Sequence, residues 1–137
     1  MKKLLVLIAL VSFVAILVSC ATTPSGPPPG PPIIRATGYG APPPPRPGGS
    51  PAQARLLAQR AAQADAYRNL AERIKGVRVD SETTVVDFIT RDDRIRTRVD
   101  AVIRGARVIS TRELPDRMFE VVIEVRIADI RAACKGY

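Results

Sequence analysis

Side chains that could carry out acid–base catalysis are scarce in this sequence. Its 137 residues contain no histidine, so the commonest proton shuttle and zinc ligand of proteins is missing. The adjacent carboxylates Asp92 and Asp93 lie in an arginine-rich stretch, and Glu113 and Asp116 bracket a proline. Carboxylates in such stretches are more often solvated loop charges than an acid–base pair. No glycine-rich phosphate loop or nucleophile elbow occurs either, so we expect no enzymatic activity, no cofactor and no metal.

Closely spaced arginines form the clearest candidate site for a partner: Arg91, Arg94, Arg96 and Arg98. Their guanidinium groups could grip an acidic surface. The alternative is an ordinary solvated face, because Asp92, Asp93 and Asp100 offset part of the positive charge.

Cys20 is the residue whose surroundings point to a specific modification. It closes an apolar run, Leu4 to Val18, that follows two lysines, and a small residue precedes it. This is the layout of a secretory signal, and Leu17-Val18-Ser19-Cys20 resembles the bacterial lipobox. The resemblance implies a signal peptide over residues 1–19, cleavage before Cys20 and diacylglycerol on its thiol. The apolar run of about 15 residues is shorter than the roughly 20 that a membrane-spanning helix needs.

A lipidated Cys20 would anchor the chain to a membrane without spanning it. By resemblance to lipoprotein sorting in two-membrane bacteria, Ala21 implies the outer membrane, with the domain facing the periplasm. Removal of Lys2 and Lys3 lowers the formal net charge from +8 to +6. A basic balance suggests nucleic acid, but an exported protein meets anionic lipid, cell-wall carboxylates and acidic proteins instead. We therefore expect no nucleic-acid partner.

Proline content divides the chain, since twelve of the thirteen prolines lie between Pro24 and Pro51. Residues 20–32 predict a polyproline tether, with a proline-rich ligand for a partner as the alternative. Residues 33–130 form the predicted domain, with a proline-rich loop at 41–51, and residues 131–137 form a predicted tail. That tail holds Cys134, which is either an incidental thiol or the site of an intermolecular disulfide.

A strand and a long helix are predicted to begin the domain. Ile33 to Gly40 favours a strand, and the proline-free stretch Ala52 to Lys75 favours a helix. Gly76 is expected to end the helix in a left-handed cap. Helical spacing predicts one core-facing stripe: Leu56, Ala66, Tyr67, Leu70 and Ile74. A weaker stripe on the opposite side reflects either the helix propensity of alanine or packing within an assembly: Leu57, Ala61 and Ala64.

The second half of the domain is predicted to be mainly extended. Val79 to Thr90 favours a strand, whereas residues 94–103 fit either a helix or a strand, and we predict a short helix. Val108 to Leu114 and Met118 to Ala128 predict a hairpin. One face of its second strand should be buried: Phe119, Val121, Ile123, Val125 and Ile127. The fold class is therefore α/β of the α+β type, one long helix packed on a mainly antiparallel sheet with a C-terminal β-hairpin.

Several sequence blocks resemble those of the Lpp-twenty family of bacterial lipoproteins over roughly residues 33–128. They are Thr37-Gly38-Tyr39-Gly40, Ala66-Tyr67-Arg68-Asn69-Leu70, Gly76 to Val85, and Arg104-Gly105-Ala106. The resemblance implies a strand–helix–strand domain on the periplasmic side of the outer membrane, where some members build or support rings around the flagellar motor. It does not imply catalysis.

These observations predict a non-enzymatic structural or assembly component of an envelope machine, with the flagellar basal body as the candidate machine. Such a protein would self-associate or bind envelope or flagellar proteins. The alternative is an envelope lipoprotein that binds peptidoglycan or anionic lipid and has no flagellar role.

Overall fold

The computed structural model describes residues 30–136, so the signal peptide, Cys20 and most of the tether lie outside the described residues. The elements follow one another as β1 (Ile33–Gly40), α1 (Pro51–Lys75), α2 (Val85–Arg91), α3 (Asp93–Arg104), β2 (Arg107–Glu113), β3 (Phe119–Arg126) and α4 (Ile127–Lys135). The strands form one antiparallel sheet in the order β1-β3-β2. This arrangement of helices on an antiparallel sheet confirms the predicted α+β class.

Strand β3 lies at the centre of the sheet and sets its register. Ile33 of β1 lies opposite Arg126, and Gly40 lies opposite Phe119. On the other side, Glu113 of β2 also lies opposite Phe119. The β2 register shifts between Val108 and Ser110, so Ile109 forms a β-bulge. Two edges remain, one along β1 and one along β2.

Helix α1 packs on β1 and β3 through a stripe of mostly small residues: Ala58, Ala62, Ala66, Leu70 and Ile74. The contact is close, because a Cβ atom on Gly38 or Gly40 would overlap the α1 main chain. The predicted stripe was right for its second half but wrong at Leu56, whose residue exposure is 49%. The buried stripe follows four-residue spacing back to Ala58, and Leu56 lies about 160° from Ala58 around the helix, so it faces solvent.

Two further predictions around Gly76 were wrong. Gly76 has φ −81°, not a left-handed conformation, and Val77 N–H bonds Ile74 C=O at 3.0 Å. The segment predicted as a strand, Val79 to Thr90, instead forms a loop followed by α2. Thr84 N–H and Oγ1–H both donate to Asp87 Oδ2, at 2.8 and 2.6 Å. This local cap at the start of α2 outweighs the strand preference of the valines that follow.

The predicted short helix and hairpin are confirmed by α3 and by β2 with β3. The buried row of β3 is also as predicted up to Val125. Ile127, however, is the first residue of α4 rather than part of the strand, and its N–H bonds Pro32 C=O at 3.0 Å. Residues of the predicted tail therefore continue α4 to Lys135, and Cys134 is only 3% exposed within the core.

Candidate docking edge of the sheet

The four arginines singled out by spacing do not form one surface. Arg96 pairs with Asp93 at 3.2 Å and also donates to Ile89 C=O at 3.3 Å. Arg98 Nε donates to Ala133 C=O of α4 at 3.0 Å, so it links two helices. Arg91 lies at the end of α2 and Arg94 in the first turn of α3, and both are exposed. Residues 94 and 96 lie about 160° apart around α3, so the predicted site is divided.

The carboxylates considered for chemistry have structural roles. Asp92 Oδ1 accepts Arg94 N–H at 2.7 Å and caps α3, while Asp93 pairs with Arg96. Glu113 pairs with Arg55 of α1, and Asp116 lies at the hairpin tip with φ 63°. Within residues 30–136 no cluster of three potential metal ligands occurs. Over the same range, no helix has the length and apolar character that crossing a membrane requires.

The sheet face opposite α1, here called the outer face, carries cross-strand ion pairs. Glu124 of β3 lies between Arg35 of β1 and Arg107 of β2, with Nε–Oε distances of 3.2 and 3.1 Å. Glu124 is 8% exposed, and hydrogen bonds from Arg107 and then Arg35 hold the pKa of its carboxyl below the ordinary value although burial opposes this. Arg112 and Glu120 form a second pair at 2.8 Å.

The β1 edge is closed by side chains of α1. Asp65, Asn69 and Arg73 lie four residues apart and so follow one line along the helix. Tyr39 N–H donates to Asp65 Oδ2 at 3.1 Å, Asn69 Nδ2 donates to Thr37 C=O at 2.9 Å, and Arg73 donates to Arg35 C=O at 2.7 Å. Three outward-facing backbone groups of β1 are thereby bonded, and no second strand can use them.

Asp65 is itself held in place from two sides. Arg68 donates to its Oδ1 at 2.7 Å, and Asn69 Nδ2 donates to its Oδ2 at 3.2 Å. The Tyr39 N–H is the largest of the interactions that hold the pKa of Asp65 below its ordinary value. The ionised carboxylate is therefore the form that closes the edge. Spacing alone could have suggested these residues, because polar side chains at i, i+4 and i+8 flank the buried stripe of α1.

The β2 edge is open by comparison. All seven residues of β2 are exposed, and Val108 and Ile109 are 44% and 43% exposed although they are apolar. Helix α1 packs mainly on β1 and β3, and its Arg55 reaches β2 in an ion pair with Glu113. Among the described residues, no side chain hydrogen-bonds the β2 main chain.

Strand alternation shows which backbone groups of β2 face outward. Residues 35, 37 and 39 of β1 direct their backbone groups towards α1, so the residues that alternate with them bond β3. On β3, residues 119, 121 and 123 therefore bond β1. The backbone groups of residues 120, 122 and 124 point the other way, towards β2. Their partners on β2 are residues 112, 110 and 107. Thr111 and Glu113 therefore direct their N–H and C=O groups away from the sheet. We call this row, together with Val108 and Ile109, the docking edge.

Comparison with known proteins places the chain in a family. A model of the LPP20 lipoprotein family matches residues 43–126, which run from the proline-rich loop to the end of β3. No curated protein matches the chain. The family match confirms the resemblance seen in the sequence blocks. The chain belongs to the LPP20 lipoprotein family and is a membrane-anchored lipoprotein of the cell envelope.

Proposed function

We propose that this protein is a non-enzymatic assembly component of the outer membrane that faces the periplasm and binds an extended segment of another envelope protein along the docking edge. The observation that carries this proposal is the difference between the two sheet edges. Three α1 side chains occupy the β1 edge, whereas the β2 edge presents backbone groups that no side chain of residues 30–136 bonds, beside two exposed apolar residues. An exposed edge strand is a template for an added strand.

The details of β2 favour a specific partner over indiscriminate pairing. The bulge at Ile109 and the arginines at either side of it interrupt the flat edge that favours aggregation. The chain's own tether, residues 20–32, is a poor occupant because proline has no N–H to donate to a strand ladder. A segment of a different protein fits the edge better.

The predicted lipid anchor and tether would keep a bound partner at the membrane. If residues 20–32 form the polyproline tether that the sequence predicts, a rise of about 3.1 Å per residue gives them a reach on the order of 40 Å. A lipidated Cys20 would then keep the domain and its bound partner attached to the membrane.

Thiol crosslinking from single introduced cysteines tests the docking edge. Cys134 is buried, and burial raises the pKa of its thiol, so an introduced cysteine is the more reactive target. We expect Val108→Cys and Thr111→Cys to give one common adduct in intact cells, and the matched exposed control Ser81→Cys to give none. An adduct with the mass of two copies would show that the edge binds a second copy of this chain rather than a different protein. Absence of any adduct from both edge positions would overturn the proposal.

The family resemblance suggests the flagellar basal body as the machine in which this protein acts. Swimming motility and electron microscopy of flagella are measured in a deletion strain complemented with the wild type, Cys20→Ser or Thr111→Pro. We expect only the wild type to restore swimming. Normal swimming of the deletion strain would exclude the flagellar role and leave assembly elsewhere in the envelope.

A second candidate function is binding to peptidoglycan or anionic lipid. The observation in its favour is that Arg91 and Arg94 are exposed and form no ion pair within residues 30–136. Co-sedimentation with purified peptidoglycan, and with vesicles with or without phosphatidylglycerol, tests it. Binding that falls with added salt and with Arg91→Gln/Arg94→Gln would support this function, and binding unchanged by either would exclude it.

A further inference from the structure

We infer that the segment accepted by the docking edge is acidic on the outer face of the sheet and apolar on the face that α1 covers. This inference rests on the proposed function, because it names the chemistry of the partner at the same strand. Its basis is the separation of the β2 side chains into two faces by strand alternation and by the bulge at Ile109.

On the outer face, β2 offers positive charge. Its residues there are Arg107, Ser110 and Arg112, which lie opposite β3 residues that are acidic or apolar. Glu124 is shared between two arginines, Arg35 and Arg107, so these three residues together carry a net charge of +1. The charge excess favours a further carboxylate.

The two β2 arginines also keep donors for such a carboxylate. Their side chains are 77% and 63% exposed, respectively, although each already pairs with a glutamate of β3. A guanidinium has five N–H donors, and Arg112 uses one of them on Glu120. An acidic residue on an added strand, directly opposite Arg107 or Arg112, would extend the existing ion pairs across a fourth strand.

On the other face, β2 offers apolar surface. Val108 lies opposite Ile123 and Thr111 opposite Val121, both of which belong to the core. The apolar face of the sheet therefore extends to β2, but α1 lies over β1 and β3 and does not cover the β2 part of that face. Apolar residues of an added strand would cover this margin and remove its surface from water.

A second copy of this chain does not supply the same chemistry. The β2 outer face contains no acidic residue, and Glu113, the one acid of the strand, lies on the α1 side where Arg55 binds it. Antiparallel pairing of two β2 strands would set arginine against serine or arginine on the outer face. Each copy also carries a formal charge of +6 once Lys2 and Lys3 are removed. The occupant is an acidic partner.

Peptide binding tests the inference on the full lipoprotein, held by its anchor in neutral detergent micelles. The probes are fluorescein-labelled nine-residue peptides that alternate valine with glutamate, serine or lysine. Fluorescence anisotropy measures the dissociation constants. We expect the glutamate peptide to bind about tenfold tighter than the lysine peptide, with the serine peptide between them. Added salt should reduce the differences.

Charge-neutralising variants locate the preference. In Arg107→Gln/Arg112→Gln the three peptides should bind within about twofold of one another, whereas Arg46→Gln/Arg60→Gln, with the same loss of net charge elsewhere, should keep the tenfold preference. Because Arg107 also stabilises the carboxylate of Glu124, Arg112→Gln alone is the second variant and should lose about half of the preference on a logarithmic scale.

The outcomes separate the inference from the proposed function. If all three peptides bind equally and Thr111→Pro abolishes that binding, the acidic preference is overturned but strand addition stands. Binding that Thr111→Pro does not change would overturn both, because the outward N–H of Thr111 would then have no role. An unchanged glutamate preference in Arg112→Gln and in the double variant would overturn the assignment to these arginines.

Discussion

The two edges of the sheet differ in whether their outward-facing backbone groups form hydrogen bonds with side chains. On β1, the three α1 side chains Asp65, Asn69 and Arg73 bond the outward-facing groups. On β2, the corresponding groups meet no side chain of the described residues, and two apolar side chains lie beside them. The comparison teaches that the fold closes the β1 edge with side chains of its longest helix, whereas none of the described side chains closes the β2 edge in this way.

The largest expected effect comes from preventing α1 from reaching β1. Gly38→Val should lower the free energy of unfolding by about 3 kcal/mol or more, since its side chain would overlap the main chain of Ala62 and Ala66. Thermal unfolding followed by circular dichroism measures this. Gly30→Ala is the control, because nothing lies within 4 Å of the position that its Cβ would take. A Gly38→Val protein as stable as the wild type would contradict the close approach.

Proline at matched outward positions compares the two edges directly. Tyr39→Pro removes the N–H that Asp65 accepts and should destabilise by about 1 to 3 kcal/mol. Thr111→Pro removes an N–H that faces solvent and should change stability by less than about 1 kcal/mol. Chemical denaturation measures both. A similar loss of stability in the two variants would show that the β1 edge is not closed more firmly than the β2 edge.

Truncation of one closing side chain sharpens the comparison. Asn69→Ala leaves Thr37 C=O without its donor and should lower stability by about 1 kcal/mol. Hydrogen exchange should accelerate at the Tyr39 amide more than at the amide of Val121, which lies in the central strand. Gln63→Ala is the control, since Gln63 is an exposed amide on the same helix and makes none of the three hydrogen bonds that close the β1 edge. Exchange that stays unchanged in Asn69→Ala would argue against closure by this residue.

The smallest expected effect is on pH dependence. The folded-state pKa of Asp65 lies below its ordinary value of 3.8, so its contribution is complete above that value and is lost as the pH falls through the folded pKa. Asp65→Asn should therefore weaken the decline of the melting temperature below pH 4. The Glu124 carboxyl, whose pKa is lowered from 4.5, should still cause part of that decline. An identical pH profile for Asp65→Asn and wild type would remove Asp65 from this account.

Sequence signals were sufficient wherever a segment's structure depends on its own residues. The proline-free stretch of α1, the hairpin around Pro115 and the alternation of β3 each carry a local pattern that the structure reproduces. They failed where two local preferences compete, as at Val85 and Val86, where the cap formed by Thr84 and Asp87 starts a helix among strand-forming residues.

The candidate site was only partly accessible from the sequence. β2 was predicted as a strand, and its arginines were visible as charges, but the arginines singled out were those of residues 91–98. Spacing emphasised that run, whereas exposure and strand pairing distinguish Arg107 and Arg112. Residues far apart in sequence, such as Arg35, Arg107 and Glu124, meet only through the sheet register.

The sequence alone determined the lipoprotein family, helices α1 and α3, the β2–β3 hairpin and the predicted site of lipidation, because each depends on residues that are neighbours in the chain. The tertiary structure decided which edge of the sheet is closed. That outcome depends on Gly38 and Gly40 allowing α1 to approach β1, so that Asp65, Asn69 and Arg73 reach its backbone. A side chain can close an edge only when packing brings it within hydrogen-bond distance, and local sequence does not encode that distance.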